Sequence, residues 1–265
     1  MGIELIKPQA RATPIQIVDP ATFARASAGL APEQRRWLAT QGFTGAPDTQ
    51  ALLPDAKGGL AEVWAGVGDP HSPYALAALP RRLPPGSYKL GQAGLALDAQ
   101  IAALSWELGA YVFDLYKPAA RAAATLQLAP GAQAARGALI ATALCATRDL
   151  VNTPAEHMGP GELAESVRLL AQAHGARFKQ TVGDALLKAG FPAVHAVGRA
   201  AARAPRLIEL NWGSAAHPLL TLVGKGVCFD SGGLNIKGTE GMRQMKKDMG
   251  GAAHALALAS LVMAL

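Results

Sequence analysis

Apolar and polar residues follow helical and strand periods in turn through the second half of the chain. Residues 138–150 and 162–174 carry apolar side chains at helical spacing, whereas residues 178–182 and 206–212 alternate as strands do. Residues 219–223 are almost continuously apolar, which is typical of a strand buried on both faces. Helices that alternate with strands predict an α/β fold with a mostly parallel sheet flanked by helices.

Breaker residues set the limits of these elements. Asn152-Thr153-Pro154 ends the first helix, and Gly175 follows the second. Asp184 opens a short helix. The apolar stretch 252–265 predicts a buried helix, because a bilayer span takes ~20 residues. We therefore expect no membrane partner.

The first half of the chain reads differently, with short elements and many prolines and glycines. A strand is predicted over residues 62–67, and Asp98 is a candidate N-cap of the helix that follows it. Ala129-Pro130-Gly131 breaks the pattern and resembles a linker. We predict a smaller α/β accessory domain over residues 1–135 and a second domain over residues 136–265.

Charge and cysteine content narrow the class of protein. The formal net charge is +6, but basic residues cluster only in pairs such as Arg81-Arg82, so nucleic-acid binding is permitted without being favoured. The two cysteines, Cys145 and Cys228, lie far apart among apolar neighbours and predict reduced, buried thiols. Since the N-terminus has no secretory pattern, we expect a cytoplasmic protein.

A glycine-rich stretch with two opposite charges follows the apolar run, and it reads GKGVCFDSGG over residues 224–233. A phosphate-binding loop would need Gly at 219 and Ser or Thr at 226, where the chain has Leu and Gly. Asp248 and a second Gly-Gly follow downstream. The residues alone leave two alternatives open. One is a surface ion pair between Lys225 and Asp230, and the other is a metal site that uses the carboxylates.

The run of spaced identities resembles the leucyl aminopeptidase family, also called the cytosol aminopeptidases. The matching segments are VGKGV-x-FDSGG from 223, IK at 236, GM-x-x-MK-x-DMGGAA from 241, RDLVNTP from 148 and AVGRA from 196. The resemblance is strong over roughly residues 140–265 and weak before that. It implies that residues 136–265 are the N-terminal part of a catalytic domain.

The family's functional residues can be carried over position by position. The resemblance implies that Lys225, Asp230 and Asp248 are metal ligands and that Lys237 is a catalytic lysine outside the metal shell. Met245 falls where the family lines the pocket for the first side chain of the substrate. Two divalent ions (Mn²⁺ or Zn²⁺, possibly Mg²⁺) would bind a peptide's free amine and polarise the scissile carbonyl. The implied partners are peptides with a free N-terminus and, at full length, further copies in a hexamer.

Two departures from the family pattern change the expectation for this sequence. The chain has Gly238 and Glu240 after the catalytic lysine, where family members typically carry proline first, so the loop has more freedom and an added charge. The family also has a later Asn-Thr-Asp-Ala-Glu-Gly-Arg stretch, which supplies two more carboxylates and is absent from these 265 residues. We therefore expect a truncated piece of a longer protein, or a broken gene product, that is weakly active or inactive alone. The alternative is a non-catalytic paralogue that acts as an interaction or nucleic-acid-binding module.

Overall fold

The computed structural model describes residues 2–234 and 236–265, which form two compact units divided after Thr142. The division falls inside a long helix, Ala132–Asn152, and the predicted domain boundary at 135/136 lies within the same helix. This helix covers the predicted span 138–150 and begins six residues earlier.

A six-stranded, mostly parallel sheet organises the N-terminal unit. Its strand order is β1-β6-β5-β2-β4-β3, and every pairing is parallel except the β3–β4 hairpin. The fold class, an α/β protein with a mostly parallel sheet and flanking helices, is confirmed, but the parallel sheet described lies in this unit, whereas the strand pair described in the second half, from which it was predicted, is antiparallel. The elements of this unit are β1 (Ile3–Leu5), β2 (Thr13–Val18), α1 (Pro20–Ser27), α2 (Pro32–Thr40), β3 (Gln50–Pro54), β4 (Leu60–Gly66), β5 (Ser87–Gly94), α3 (Ala99–Ala110), β6 (Thr125–Leu128) and the start of α4 (Ala132–Asn152).

Buried aliphatic and aromatic side chains hold this sheet against its helices. Ile15 and Ile17 of β2 are fully buried, and Trp106 of α3 packs in the same cluster while its indole N–H donates to the Ala124 carbonyl at 3.0 Å. Two local predictions are confirmed here. The strand predicted over residues 62–67 is β4, and the Asp98 carboxylate accepts from the first turn of α3.

The C-terminal unit contains helices around a two-stranded antiparallel sheet. Strands β7 and β8 pair along their whole length, and they confirm the strands predicted at 178–182 and 206–212. Helix α5 confirms the prediction for 162–174. The elements are the end of α4, α5 (Pro160–Ala173), β7 (Arg177–Val182), α6 (Ala185–Lys188), α7 (Pro192–Gly198), β8 (Arg206–Asn211), α8 (Thr239–Arg243), a 3₁₀ helix (Met245–Met249) and α9 (Gly250–Ala264).

Two burial predictions for this unit are wrong. Residues 219–223 form no strand in the described structure, and Leu219 and Val223 are each 89% exposed. An apolar run becomes an inner strand only where neighbouring strands supply hydrogen bonds on both sides, and the described part of this unit has one antiparallel pair. Helix α9 lies where a buried helix was predicted, yet Ala253 is its one fully buried residue.

The methionine, cysteine and membrane-helix predictions have different outcomes. Met242 and Met245 lie on separate short helices, so the methionines do not share one helix face as predicted. Cys145 and Cys228 carry no disulfide, as predicted, but only Cys228 is buried, and Cys145 is partly exposed. Within residues 2–234 and 236–265, no helix has both the length and the apolar character that a membrane crossing requires.

Candidate functional site

Lys225 and Asp248 form an ion pair in which both carboxylate oxygens bind the ammonium. The Lys225 ammonium donates to both carboxylate oxygens of Asp248, each at 2.9 Å. The Lys225 side chain is 62% exposed and that of Asp248 is 17% exposed, so the pair lies at the protein surface with its carboxylate turned inward. Two residues that the sequence separates by an entire loop are therefore in direct contact.

Close backbone packing brings this pair together. A Cβ atom on Gly224 would lie 2.5 Å from the Gly251 carbonyl oxygen, and one on Gly251 would lie 2.9 Å from the Lys225 nitrogen. The Ala252 amide donates to the Lys225 carbonyl at 2.9 Å. The glycines on both sides thus let the loop lie directly on the first turn of α9, because any side chain there would hold the two backbones apart.

Asp230 and Lys237 form the second ion pair of the site. The Lys237 ammonium donates to the Asp230 side chain at 2.6 Å and to its carbonyl at 3.1 Å, and it contacts the Met245 sulfur at 3.2 Å. The Gly232 amide donates to the other Asp230 oxygen at 2.7 Å, in a turn where Gly232 has φ +80°. The left-handed conformation of Gly232 favours glycine and allows this turn to close around the carboxylate.

Electrostatics connect the two pairs. The hydrogen bond from Lys237 is the main cause that holds the pKa of the Asp230 carboxyl below its usual value, and the Gly232 amide and the nearby charge of Lys225 act in the same direction. Both lysines therefore stabilise the charged form of the Asp230 carboxyl, which is ionised at neutral pH. The ionised carboxylate is the form that binds a cation.

Buried side chains anchor the charged ones. Cys228, between Lys225 and Asp230 in the loop, is 8% exposed, and Met249, next to Asp248, is fully buried. Both belong to one apolar cluster, and burial raises the pKa of the Cys228 thiol to about 11, so this thiol stays protonated. The apolar neighbours thereby fix the direction of the charged side chains.

The structure brings all five predicted site residues into two connected groups. Lys225 contacts Asp248, while Lys237 contacts Asp230 and Met245, and the 3₁₀ helix carries both Met245 and Asp248. The sequence left open an ion pair between Lys225 and Asp230, whereas the structure pairs Lys225 with Asp248 and Asp230 with Lys237. Residue spacing does not reveal which lysine faces which carboxylate.

One supporting contact was also missed. The Lys246 ammonium donates to the Asn152 carbonyl at 3.2 Å and ties the 3₁₀ helix to the end of α4. Both residues stand in the segments that carry the family resemblance, but nothing in their spacing predicts that they touch.

The donor set suits divalent cations. Lys225 offers an amine nitrogen once it is deprotonated, and Asp230 and Asp248 offer carboxylate oxygens, ligands that Mn²⁺, Zn²⁺ and Mg²⁺ accept. Each carboxylate already faces a cationic nitrogen at 2.6–2.9 Å, so both are oriented toward positive charge. Within residues 2–234 and 236–265, the candidate site included, no group of three His, Cys, Asp or Glu side chains has the arrangement of a metal site.

Comparison with known proteins places the chain among aminopeptidases. Residues 145–265 match the family model described as the cytosol aminopeptidase family, catalytic domain, and residues 13–129 match that of the M17 aminopeptidase N-terminal domain. A probable cytosol aminopeptidase of Leifsonia xyli subsp. xyli is 36% identical over 257 residues, which are 89% of this chain and 50% of the relative. Another, from Rhodococcus opacus, is 37% identical over 178 residues, which are 61% of this chain and 35% of the relative. The chain thus spans about half, or less, of the length of these relatives.

Solved structures give the same result. The cytosol aminopeptidase of Coxiella burnetii is 41% identical with a TM-score of 0.91, over 98% of this chain and 57% of that one. The bottromycin maturation enzyme BotP, solved in complex with Mn, is 29% identical with a TM-score of 0.75, over 97% of this chain and 56% of that one.

Proposed function

Because the chain belongs to the cytosol aminopeptidase family, we propose that it supplies the first part of a metal-dependent aminopeptidase, which releases amino acids from the N-terminus of peptides. In this proposal residues 1–135 are the accessory domain and residues 136–265 are the N-terminal part of the catalytic domain. The observation that carries the proposal is the convergence of Lys225, Asp230, Lys237 and Asp248 on one surface of the C-terminal unit.

We assign the metal-binding role to Lys225, Asp230 and Asp248. A pair of divalent ions, Mn²⁺, Zn²⁺ or Mg²⁺, would supply the Lewis acidity for amide hydrolysis at this site. For Lys225 to bind a metal, its ammonium must lose a proton and release Asp248, and a nearby divalent charge favours the neutral amine. The Mn in the related BotP supports the choice of a divalent ion.

Lys237 is proposed as the catalytic lysine. Its ammonium has three protons, and in the structure it donates two to Asp230 and one to the Met245 sulfur. A thioether is a weak acceptor, so the third proton is the one most easily redirected to a substrate oxygen. An ammonium held in this way can stabilise the negative charge that develops on the carbonyl oxygen during hydrolysis. Met245, beside this ammonium, is proposed to border the pocket for the first side chain.

The charges of the site predict weak metal binding by the 265 residues alone. Two carboxylates face two lysines, so the described set has no surplus of negative charge with which to hold two divalent ions. We therefore propose that the chain by itself binds the ions weakly and hydrolyses peptides slowly. Further carboxylates would be needed for tight binding.

A sensitive assay of amino-acid release tests the proposal. The purified chain is incubated at high concentration with Mn²⁺ and a leucyl peptide, and free leucine is quantified by mass spectrometry. We expect slow release that disappears with Lys237→Met and with the N-acetylated peptide. Lys247→Met, on the 3₁₀ helix that carries Met245 and Asp248, is the control for loss of a lysine charge and should leave release unchanged. Release that survives Lys237→Met, or equal release from the acetylated peptide, would contradict the proposal.

The remaining assignments follow from the family. We propose peptides with a free N-terminus as substrates, a cytoplasmic location, and assembly with further copies as in the hexamer that the resemblance implies. The names of the relatives, cytosol aminopeptidases, support the location.

A further inference from the structure

The thioether of Met245 lies against a charged group. The Lys237 ammonium contacts the Met245 sulfur at 3.2 Å, while its other two protons bind the side chain and the carbonyl of Asp230. A thioether is a weak acceptor, so the hydrogen bond to sulfur is the weakest of the three. A stronger acceptor on the Met245 side chain would therefore change how this ammonium is held.

Met245 is open to small dissolved molecules. The residue is partly exposed, and the neighbouring side chains of Lys237 and Asp230 are 29% and 40% exposed. Met249 belongs to the same 3₁₀ helix and is fully buried. Because an oxidant must reach the sulfur in order to react with it, these two methionines should differ in reactivity.

A hydroperoxide can convert this sulfur into a strong acceptor. The sulfur lone pair attacks one peroxide oxygen, an S–O bond forms and the O–O bond breaks. Sulfur loses two electrons to the peroxide. With hydrogen peroxide, the transferred oxygen gives its proton to the departing hydroxide, which leaves as water. The product is methionine sulfoxide, in which an apolar side chain has become polar and which reductases convert back to methionine.

We propose that Met245 is an oxidation site, and that the sulfoxide oxygen formed there accepts a hydrogen bond from the Lys237 ammonium. The new oxygen is bonded to the atom that Lys237 already contacts, and the three rotatable bonds of the side chain let it turn toward the ammonium. A hydrogen bond from a charged donor to this oxygen is stronger than the contact with the thioether.

Oxidation of Met245 should therefore inhibit peptide hydrolysis. The Lys237 proton that now points at sulfur is the one most easily redirected to a substrate oxygen, and a sulfoxide would retain it. This consequence rests on the proposed function, whereas the oxidation site and its hydrogen bond do not.

Peptide mass spectrometry tests the oxidation site. The 265-residue chain is treated with hydrogen peroxide, and the sulfoxide at each methionine is quantified with time. We expect Met245 to oxidise at least about tenfold faster than Met249, because only the first of the two sulfurs is accessible. Equal rates at the two positions would overturn the proposal.

The NMR signal of the Lys237 ammonium tests the new hydrogen bond. Lysine side chains are labelled with ¹⁵N, and the signal is assigned by its loss in Lys237→Met. Peroxide should shift this signal, and a methionine sulfoxide reductase should restore it. Met245→Leu nearly conserves the side-chain volume and should abolish the response. Met242→Leu, on α8, is the matched control at another partly exposed methionine and should retain it.

Two results of this measurement would overturn the proposal. One is a shift that persists in Met245→Leu, which would assign the response to oxidation of another residue. The other is an unchanged Lys237 signal after complete oxidation of Met245, which would show that the sulfoxide leaves the ammonium where it was.

Leucine release separates the oxidation site from the proposed function. Peroxide should lower release about tenfold or more in the unaltered chain and in Met242→Leu, and the reductase should recover it. Met245→Leu should release the same amount before and after peroxide. If the ammonium signal responds but release is absent or insensitive to peroxide, the oxidation site stands and the proposed role of Lys237 fails. If release depends on Lys237 but Met245 oxidises no faster than Met249, the oxidation site fails.

Discussion

Replacing Gly224 by alanine should loosen the loop that presents Lys225. The new Cβ would lie 2.5 Å from the Gly251 oxygen, 2.6 Å from the Ala252 Cα and 2.7 Å from the Ala252 nitrogen. All three are backbone atoms, so no flexible side chain can move aside. To reach ~3.5 Å, the short end of ordinary carbon contacts, the two backbones must separate by roughly 0.8–1.0 Å.

The free-energy cost of this change follows from the same geometry. Such a separation stretches the 2.9 Å hydrogen bond from the Ala252 amide to the Lys225 carbonyl beyond useful length. Overpacking costs about 1–3 kcal/mol and the lost hydrogen bond about 1 kcal/mol, with partial overlap between the two. We expect a local destabilisation of about 2 kcal/mol, which corresponds to roughly thirtyfold faster opening of this contact.

Amide hydrogen exchange measures this opening directly. The exchange rate of the Ala252 amide is followed by NMR in the unaltered chain, in Gly224→Ala and in Gly238→Ala. Gly238 is the control because a Cβ there would meet nothing within 4 Å. We expect roughly thirtyfold faster exchange in Gly224→Ala and no change in Gly238→Ala. Equal exchange in the two variants would refute the close packing of the loop on α9.

Two further predictions concern the N-terminal unit. Gly94→Ala should lower the free energy of unfolding by about 2 kcal/mol more than Gly58→Ala in urea titrations. Both glycines have positive φ, but a Cβ at Gly94 would lie 2.1 Å from the Ile17 oxygen, whereas one at Gly58 meets nothing within 4 Å. Equal losses would contradict the close approach of β2 and β5. The hydrogen bonds from Thr22 lower the pKa of the Asp19 carboxyl from 3.8, so this cap stabilises the fold above that pH and its contribution is lost as the pH falls through the lowered value. Asp19→Ala should therefore lower the melting temperature more at pH 6 than in acid well below pH 3.8, and an equal effect at both would contradict this reasoning.

Local signals explain which elements the sequence could predict. The helix after Asp98 was predicted because a carboxylate at that position satisfies the free amides of a first turn, and it does so in the structure. Gly175, which was expected to follow α5, has φ +63°. Capping and turn residues act over a few positions, so they can be interpreted without knowledge of the rest of the fold.

Long-range pairing explains what the sequence could not predict. The order of the six strands depends on contacts between distant segments, such as Ile3 opposite Leu126, that no local pattern specifies. The strand predicted at 219–223 failed for a related reason. An apolar run indicates that burial is favourable, but it does not say whether a partner strand is present to provide it.

The sequence identified the residues of the candidate site but not the contacts between them. Motif spacing and resemblance singled out Lys225, Asp230 and Asp248, and the structure connects all three through ion pairs and electrostatics. The pairing of Lys225 with Asp248 could not be predicted, because it depends on how closely Gly224 approaches α9. The glycines of the two motifs were the visible signal, and two of them, Gly224 and Gly251, allow the close backbone contact.

Paramagnetic broadening by Mn²⁺ tests most directly whether these residues form one cation site. Mn²⁺ is titrated into the ¹⁵N-labelled chain, and the loss of each amide signal is followed, an effect that reports even weak binding. We predict that signals of Lys225, Asp230 and Asp248 broaden first, and that Asp230→Asn with Asp248→Asn removes the effect. Broadening centred on other carboxylates, or broadening that survives both substitutions, would contradict the assignment.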